Sequence, residues 1–333
     1  MILNWNGRKL LAQFLPSVIQ HSLEFAEVIV ADNASTDDSV SFVKENFPSV
    51  RIITLDRNWG FAAGYNKALE QVDAEYYILL NSDVEVTADW INPVVALMDS
   101  DATIAACQPK IRSYRKKEEF EYAGAAGGFI DKWGYPFCRG RIFHVFEEDK
   151  GQYDDIREVF WASGAALFVR AELYRKAGGL DEDFFAHMEE IDLCWRLKNM
   201  GYSVYFHPQS LVYHVGGGTL LMGTPRKTFL NFRNNLQLMS KNLPKRKFIP
   251  LILLRLVLDG IAAISFLPNP NGWGNFRAVF RAHFSYYWLF PRLMKKRRNI
   301  PHRKVSCIYR QSVVYLFFVK KVRSFSQLGD YFS

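Results

Sequence analysis

An acidic residue follows one of the most apolar short runs in the chain. Residues 76–80 are all apolar or aromatic, and Asn81, Ser82 and Asp83 come directly after them. A run this short and this apolar predicts a strand buried on both faces, as in a parallel sheet. An acid at the carboxyl end of such a strand lies where open α/β sheets bind their ligands. An ordinary polar exit from a strand would look the same in isolation.

His214 is the second candidate for metal chemistry. It follows the strand-like residues 211–213 and precedes three glycines at 216–218. A single histidine after a strand is more often structural than a ligand. Because imidazole and carboxylate both bind divalent cations, a histidine in this position could also share a metal with Asp83.

A cluster of three acids is the third candidate. Glu189, Glu190 and Asp192 fall in the first turn of a predicted helix that ends near Gly201. The helix dipole alone favours acids there, by about 0.3–1 kcal/mol each. Three acids beside an aromatic-rich loop exceed what a helix start requires, so we predict a catalytic role for one of them.

Alternating strands and helices must position these residues. Strands over 27–31 and 51–55 are each followed by a helix, over 38–46 and 61–72, before the strand that leads to Asp83. That alternation predicts right-handed βαβ units and a parallel sheet. The polar residues at the strand ends should then meet at one edge of the sheet, as a nucleotide site needs. They are Asn4, Asp32, Asn58 and Asp83.

Small residues open the second of these helices. The turn from Asn58 to Asn66 contains Gly60 and Gly64, which would let backbone N–H groups approach phosphate oxygens. Close helix packing after a glycine-relieved turn is the alternative explanation. No GxGxxG follows the first strand and no GxxxxGKS or GxxxxGKT occurs, which argues against a dinucleotide dehydrogenase and a P-loop NTPase. A strand over 160–170 is interrupted by small residues, where a ligand or another backbone could approach.

Charge is divided unevenly along the chain. With 333 residues and a net charge of +8, the chain can hold one large or two modest domains. Residues 1–225 carry 21 Lys/Arg against 32 Asp/Glu, whereas residues 226–333 carry 21 against 2. This asymmetry predicts two regions with different partners, and a basic surface attracts the phosphates of nucleic acid or anionic lipid. The four cysteines show no CxxC pair and no metal-ligand spacing, which is typical of reduced thiols.

The basic region contains an apolar stretch that is long enough to cross a membrane but carries two central charges. Thr224 and Pro225 predict a helix start, and residues 248–267 are long enough to cross a bilayer. The Leu, Ile, Val and Phe residues of this stretch favour insertion by about 4–8 kcal/mol, whereas Arg255 and Asp259 near its centre cost about 5–7 kcal/mol. Because the sum is close to zero, we predict an amphipathic or partly immersed helix rather than a span.

Aromatic and cationic residues alternate with apolar runs through the rest of this region. Such a mixture is typical of the interface of an anionic membrane. Nucleic acid is not expected as a partner, because no recognised nucleic-acid-binding fold is present.

In order and spacing, these segments resemble the family-2 glycosyltransferases of the GT-A fold, in particular the rhamnosyltransferase-like branch that builds bacterial surface polysaccharides. The resemblance covers about residues 1–220 and rests on motifs at 4–7, 30–37, 58–66, 81–83, 189–197 and 214. It implies an α/β GT-A (Rossmann-like) fold, with a mostly parallel sheet flanked by helices and a basic helical C-terminal extension. The implied division is a catalytic domain over 1–222 and a basic, amphipathic, membrane-associating region over 223–333.

The resemblance also implies roles for single residues. Asp32 would bind the nucleobase of the sugar donor. Asn81-Ser82-Asp83 is similar to the family's DxD motif with its first acid replaced by Asn, so Asp83 would bind Mg²⁺ or Mn²⁺ at the donor diphosphate, with His214 as an additional ligand. Glu190, next to Glu189, stands where the family has its general base, and Asp192 is the runner-up. Further donor-binding residues would be Asn4, Asn58, Gly60, Gly64, Asn66, Asn81, Ser82 and Trp161.

The implied reaction is an inverting transfer of a sugar from a nucleoside-diphosphate donor to a saccharide, expected to be lipid-linked, in bacterial surface polysaccharide synthesis. Rhamnose is the sugar that the resemblance suggests. Such a transfer needs a base for the proton of the acceptor hydroxyl and a cation beside the leaving diphosphate. We expect a location on the cytoplasmic face of the inner membrane, with residues 226–333 on an anionic membrane surface. Two alternatives stay open: a sugar nucleotidyltransferase, and a catalytically impaired scaffold of the same fold that binds saccharide or membrane.

Overall fold

The computed structural model describes residues 1–216 and 223–333. The glycines at positions 217 and 218, after His214, lie outside the described residues. The first four strands and three helices alternate along the chain; the sequence predicted the second and third of these helices but not the first. They are β1 (Ile2–Asn4), α1 (Arg8–Ser22), β2 (Ile29–Asp32), α2 (Ser39–Asn46), β3 (Arg51–Thr54), α3 (Gly60–Leu69) and β4 (Tyr76–Leu80).

These four strands form the parallel half of the main sheet. Strand β1 pairs in parallel with both β2 and β4, and β2 pairs in parallel with β3. The apolar side chains of β2 are buried on both faces, and those of β1 and β4 are buried or partly buried, because a parallel sheet built from βαβ units is covered on each side. The predicted βαβ organisation is therefore confirmed for this half.

The middle of the chain completes the main sheet and adds a smaller one. Its elements are β5 (Val84–Val86), α4 (Asn92–Ser100), β6 (Ile104–Ser113), β7 (Gly128–Asp131), β8 (Pro136–Cys138), β9 (Arg141–Ile142), β10 (Val145–Phe146), β11 (Arg157–Val159), β12 (Ala166–Arg170), α5 (Ala171–Lys176), α6 (Glu189–Met200) and β13 (Ser203–His214). The main sheet has the order β11-β13-β6-β12-β4-β1-β2-β3, with β5 beside β13.

The second half of the main sheet differs from the sequence expectation. Strand β12 runs antiparallel to both β4 and β6, so the sheet is mixed beyond β4, although β6 and β13 again pair in parallel. The strand expected over 160–170 begins only at Ala166, because residues 161–164 leave the sheet. The two strands expected near 204–206 and 211–214 are one strand, β13, with an irregularity between His207 and Leu211.

The C-terminal region contributes four helices and one strand. They are α7 (Pro225–Asn242), α8 (Lys245–Phe266), α9 (Gly272–Arg298), β14 (Ile308–Tyr309) and α10 (Val313–Phe318). Helix α7 starts where Thr224 and Pro225 predict, with Thr224 Oγ1 accepting from the backbone N–H of Lys227. Helix α8 contains nearly all of the predicted apolar stretch. Among the described residues it is the helix whose length and composition would suffice for a membrane crossing, a test that the core helix of a soluble protein also passes.

The C-terminal region and the N-terminal part share one core. Strand β14 pairs in parallel with β7 in the small sheet, whose order is β10-β9-β8-β7-β14. The ring of Phe129 lies 5.2 Å from Phe325 and 4.9 Å from Phe332, centroid to centroid. The predicted domain boundary at residue 222 falls outside the described residues, and it stays a prediction. The shared core makes α7–α10 part of the same packed body as the main sheet.

Candidate functional site

Asp83 and His214 meet beyond the end of β4. Strand β5 pairs with β13 so that Val84 lies opposite His214. Asp83 Oδ1 lies 3.1 Å from His214 Nε2, and Asn81 Nδ2 lies 3.4 Å from the same nitrogen. On the other side of the ring, Glu121 Oε2 lies 3.1 Å from Nδ1. The imidazole therefore stands between two carboxylates.

The charged groups around His214 interact strongly with one another. Burial alone would lower the pKa of His214, but the carboxylates of Glu121 and Asp83 outweigh burial and raise this pKa to about 10. Burial acts on Asp83 in the raising direction, yet the hydrogen bond and charge of His214 hold the Asp83 pKa below its usual value. Without a bound cation, an ionised carboxylate beside an imidazolium is the resulting state at neutral pH; a cation bound at Nε2 would replace the proton there, because only the neutral imidazole is a ligand.

Asp83 and His214 together fit a divalent cation as a partial ligand set. Their facing atoms are 3.1 Å apart, about the separation of adjacent ligands that each lie about 2.1 Å from one ion. No group of three or more His, Cys, Asp or Glu side chains that could hold a metal occurs among the described residues. Mg²⁺ usually binds through one or two carboxylates, with waters and substrate phosphates completing its shell. Two protein ligands therefore suit a cation bound together with a diphosphate.

Asn4 and Asp32 lie side by side at the ends of β1 and β2, opposite each other in the strand register. Asn4 Nδ2 donates to Asp32 Oδ1 at 3.1 Å and to Ser35 Oγ at 3.2 Å. Asp32 Oδ2 accepts from the backbone N–H of Ser35 at 2.9 Å. Within the described part of the chain, Asn4 Oδ1 is buried without a hydrogen-bond partner. The predicted meeting of these two strand ends is confirmed.

Asn33 joins this edge to the glycine-containing turn. Its Nδ2 donates to Asn58 Oδ1 at 3.1 Å and to the carbonyl of Gly60 at 3.0 Å. Gly60 has a φ of +76°, a left-handed conformation that favours glycine. A Cβ on Gly64 would lie only 3.0 Å from Leu3 Cδ2. Backbone conformation explains the glycine at position 60, and the close approach of α3 to β1 explains the glycine at position 64.

Two predicted donor-site residues have partners inside the fold. Asn66 Oδ1 accepts from Tyr174 Oη at 2.6 Å and from the backbone N–H of Leu180 at 2.9 Å, and its Nδ2 donates to the Leu180 carbonyl at 2.8 Å. Trp161 is buried, and its Nε1 donates to the carbonyl of Phe129 at 3.0 Å. These polar groups tie the fold together. Ser82, by contrast, is partly exposed in the turn between Asn81 and Asp83.

Glu190 faces the segment that leads back to Asn81. A Cβ built on Gly164 would lie 3.6 Å from Glu190 Cβ, and the carbonyl of Ala165, the next residue, accepts from the backbone N–H of Asn81 at 3.0 Å. Glu190 is partly exposed, whereas its neighbour Glu189 is buried. The fold thus brings one accessible acid of α6 to the side of the site that carries the Asn81–Asp83 turn.

Both glutamates resist ionisation. Burial raises the pKa of Glu190 to about 7, against the opposing effect of backbone N–H groups at the start of α6. Burial, together with the charge of Glu190, raises the pKa of Glu189 well above its usual value. In addition, Glu189 Oε2 is a buried atom for which the described residues provide no hydrogen-bond partner. Burial therefore favours the protonated form of Glu189, and Glu190 titrates close to pH 7.

The loop before these acids has an unusual backbone that α7 holds in place. Phe185, His187 and Met188 all have positive φ, between 65° and 75°, which costs free energy for residues other than glycine. The Nδ2 group of Asn234 on α7 lies within hydrogen-bond distance of the carbonyls of Phe184, His187 and one intervening residue, at 2.8–2.9 Å. Arg233 also donates to the Phe184 carbonyl, at 2.9 Å. Helix α7 therefore fixes the loop that presents Glu189 and Glu190.

Asp192 occupies a different environment from the two glutamates. It is fully buried, and its Oδ2 lies 2.8 Å from both Arg196 Nε and Lys241 Nζ. Its Oδ1 accepts from Asn242 Nδ2 at 2.8 Å. The carboxylate is thus the centre of an ionic cluster that joins α6 to α7, and the structure keeps it away from solvent.

Replacing Asp192 with alanine is expected to destabilise the protein by about 3–5 kcal/mol, because two buried cations would lose a shared carboxylate. Urea denaturation followed by circular dichroism measures this change in the free energy of unfolding. Asp38→Ala is the matched control. Its side chain is 69% exposed and pairs with Arg8 at 3.5 Å, so its loss should cost less than about 1 kcal/mol. Equal midpoints for the two variants would contradict a structural role for Asp192.

Sequence reasoning missed two residues at this site. Glu121 belongs to the poorly patterned stretch between β6 and β7, and no motif marks it; only its contact with His214 reveals it. Asn234 lies in α7 among other polar residues that are buried, such as Asn235 and Ser240. Buried amides on a helix with an amphipathic sequence pattern indicate a contact with a neighbouring element, because a buried amide needs hydrogen-bond partners there.

Half of the chain matches a known protein family. The model of the family described as "Glycosyl transferase family 2" matches residues 1–170. An N-acetylglucosaminyl-diphospho-decaprenol L-rhamnosyltransferase of Mycobacterium tuberculosis is 26% identical over 222 residues, which is 61% of this chain and 71% of that protein.

Two solved structures share the fold. The first is GalNAc-T7 with UDP, GalNAc and Mn²⁺, at a TM-score of 0.58 and 15% identity, covering 92% of this chain and 58% of that one. The second is a mannosyltransferase from Pyrobaculum calidifontis in complex with GDP-Man and Mn²⁺, at a TM-score of 0.52 and 15% identity, covering 86% of each chain. This chain thus spans little more than half of the first structure. The likeness shows a GT-A glycosyltransferase fold, as the sequence motifs imply.

Proposed function

The chain belongs to glycosyl transferase family 2, and from that premise we propose that it performs an inverting transfer of a sugar from a nucleoside-diphosphate sugar to a saccharide acceptor. One observation carries the proposal: the Asn81–Asp83 turn has His214 on one side, 3.1 Å from Asp83, and on the other side Ala165, which follows Gly164 near Glu190. A ligand at this turn would have a cation-binding pair on one side and a carboxyl group that titrates near neutrality on the other.

We assign the donor to the edge formed by the strand ends. Asp32 and Asn4 would face the nucleoside, and Asn58, Gly60 and the adjoining backbone would border it. Asp83 and His214 would hold Mg²⁺ or Mn²⁺, and Glu121 would orient the His214 ring from its far side, as carboxylates do for metal-bound histidines. When bound, the cation neutralises charge on the diphosphate leaving group.

Glu190 is our candidate for the general base. Its carboxylate would take the proton of the acceptor hydroxyl while that oxygen forms a bond to the anomeric carbon and the bond from this carbon to the diphosphate breaks. Attack from the side opposite the leaving group inverts the anomeric configuration. Glu189 is buried in the same turn with its pKa raised well above the usual value, and Asp192 is fully committed to Arg196 and Lys241. Both are therefore poorer candidates than Glu190.

The relatives suggest a narrower substrate class. The mycobacterial relative is named for rhamnosyl transfer to a polyprenyl-diphosphate-linked saccharide. We propose a lipid-linked saccharide as the acceptor, the cytoplasmic face of the inner membrane as the location, and surface polysaccharide synthesis as the process. Rhamnose is the first sugar to test.

The decisive experiment incubates the purified chain with MnCl₂, a panel of nucleoside-diphosphate sugars that includes dTDP-rhamnose, and a polyprenyl-diphosphate N-acetylglucosamine acceptor. Mass spectrometry detects the product, and NMR of the anomeric proton gives its configuration. A single new glycosidic bond of inverted configuration supports the proposal. Retained configuration would exclude the base role of Glu190. Divalent-dependent donor binding without any transfer across the panel would favour the scaffold alternative.

The pH dependence follows from the environment of Glu190. A protonated carboxyl group cannot accept the acceptor's proton, and burial raises the Glu190 pKa to about 7. We therefore expect kcat/KM to rise with pH through about 7, by about tenfold per pH unit on the acid side, and to level off above it. Initial-rate measurements across this range test the expectation. A profile that is flat through neutrality would contradict it.

A further inference from the structure

Helix α8 has two faces of opposite character. Arg255 and Asp259 are both buried and pair with each other at 3.2 Å. Arg255 also donates to the carbonyl of Trp133 at 3.1 Å and lies 3.8 Å from the centroid of the Tyr135 ring. Asp259 lies 3.4 Å from His283 on α9. The two charges that made the sequence ambiguous therefore face the protein.

The opposite face of α8 is an apolar stripe. The side chains at every third or fourth position along it are between 53% and 63% exposed. They are Ile249, Leu253, Val257, Ile261 and Ile264. This spacing follows the 3.6-residue period of a helix, so the five side chains form one continuous row of about 22 Å. An uninterrupted exposed row of this kind marks an interaction surface.

Helix α9 adds exposed aromatic and cationic side chains beside it. The two helices run antiparallel, because Phe248 stacks on Phe290 while Asp259 reaches His283. Trp288 is 82% exposed and Phe284 is 71% exposed. Exposed cations flank both helices: Lys245, Arg246 and Lys247 at the start of α8, and Arg277, Arg281, Lys295 and Arg298 on α9.

From this arrangement we infer that the α8 stripe and the exposed aromatic residues of α9 form a docking face for an anionic lipid bilayer, on which α8 lies in the membrane plane without crossing it. The inference deepens the proposed membrane location. A row of aliphatic side chains flanked by cations, with tryptophan and phenylalanine nearby, matches the composition of interfacial helices.

Two structural arguments select this occupant and this orientation. A crossing orientation would carry the Arg255–Asp259 face, together with the turn between β7 and β8 that contacts it, into hydrocarbon. An in-plane orientation leaves that face on the protein, where it is already paired. A second copy of the chain is disfavoured because a two-fold contact through this face would bring the flanking cations of both copies together. Phosphate headgroups instead complement those cations.

Flotation with vesicles of phosphatidylglycerol and phosphatidylethanolamine tests the docking face, using the full chain without donor or acceptor. The triple variant Leu253→Glu, Val257→Glu, Ile261→Glu should bind these vesicles at least tenfold more weakly than the unaltered chain. Ile156→Glu is the control, because Ile156 is an exposed apolar residue outside this face. Lys245→Gln, Arg246→Gln and Lys247→Gln should each weaken binding by about fivefold, and about 1 M salt should weaken it further. Unchanged flotation of the triple variant would overturn the inference, as would a salt-insensitive partition into phosphatidylcholine.

Depth measurements distinguish a helix that lies in the membrane plane from one that crosses the membrane. The four native cysteines are buried, so Ile249→Cys, Val257→Cys and Ile264→Cys can each be labelled selectively with an environment-sensitive fluorophore. Lipid-attached quenchers should place all three at one shallow depth. A gradient from 249 to 264 would show a crossing helix and overturn the inference. Vesicle-independent dimerisation that the triple variant abolishes would assign the face to a second copy. Because binding is measured without substrates, a chain that docks but does not transfer refutes only the proposed function.

Discussion

Replacing Glu190 with glutamine is expected to lower kcat by about 10²–10⁴-fold while leaving donor affinity within about twofold of the unaltered chain. Glutamine keeps the size of the side chain but cannot accept a proton. Even a Cβ added to Gly164 would lie 3.6 Å or more from Glu190, so the amide, which has the size of the carboxyl group, should fit without disturbing the fold. Initial rates at saturating donor measure kcat, and calorimetry of donor binding measures affinity.

Two variants make this prediction specific. Glu182 is exposed in the turn before the same loop, and Glu182→Gln should leave kcat unchanged. Glu189→Gln is more informative, because burial raises the Glu189 pKa well above its usual value and glutamine mimics a protonated carboxyl group. We expect it to change kcat by less than about tenfold. A large loss in Glu189→Gln with a normal rate in Glu190→Gln would move the base role to Glu189.

The residues of the donor edge were predictable from sequence because their positions depend on short-range patterns in the chain. Short apolar runs that end in polar residues predict parallel strands, and parallel strands end at one edge. Asn4 and Asp32 meet there because they lie opposite each other in the register of β1 and β2. The same reasoning locates Asp83 after β4. Each inference uses only the residues of one strand and one turn.

The other side of the site depends on contacts between distant parts of the chain. Strand β12 enters antiparallel between β4 and β6, and this insertion brings Gly164 and Ala165 beside Asn81. Glu121 reaches His214 across 93 residues of chain. Asn234 reaches the loop before α6 from the basic region. No periodicity encodes such meetings, so only a folded structure reveals them.

Residue type alone also cannot separate ligand binding from internal pairing. Asn66, Trp161 and Asp192 have the chemistry of donor-binding or catalytic groups, yet the protein itself supplies partners for each. Arg255 and Asp259 show the same ambiguity for α8. As charges in a linear stretch they argue against membrane insertion, whereas their burial on one face leaves the other face entirely apolar.

Replacing Asp83 with asparagine is expected to reduce the Mn²⁺-dependent affinity for nucleoside diphosphates by about 100-fold or more. Asp83 is the carboxylate of the Asn81–Asp83 turn and the ionised partner of His214. Asparagine preserves its shape and removes the negative charge that attracts a divalent cation. Calorimetric titration of UDP, GDP and dTDP, with MnCl₂ and with EDTA, measures the effect without relying on turnover.

A graded series distinguishes direct ligation from a general loss of negative charge. Glu121 contacts the far nitrogen of His214, so Glu121→Gln should cost about 10–100-fold in the same affinity, the range for groups that orient a ligand from behind. Glu85 lies two residues beyond Asp83 and pairs with Lys117 at the surface, so Glu85→Gln should have no effect. If all three variants weaken binding equally, the effect is one of net charge, and Asp83 loses its assignment as a metal ligand. If Asp83→Asn binds nucleoside diphosphate as the unaltered chain does in MnCl₂, the cation must be held elsewhere or not at all.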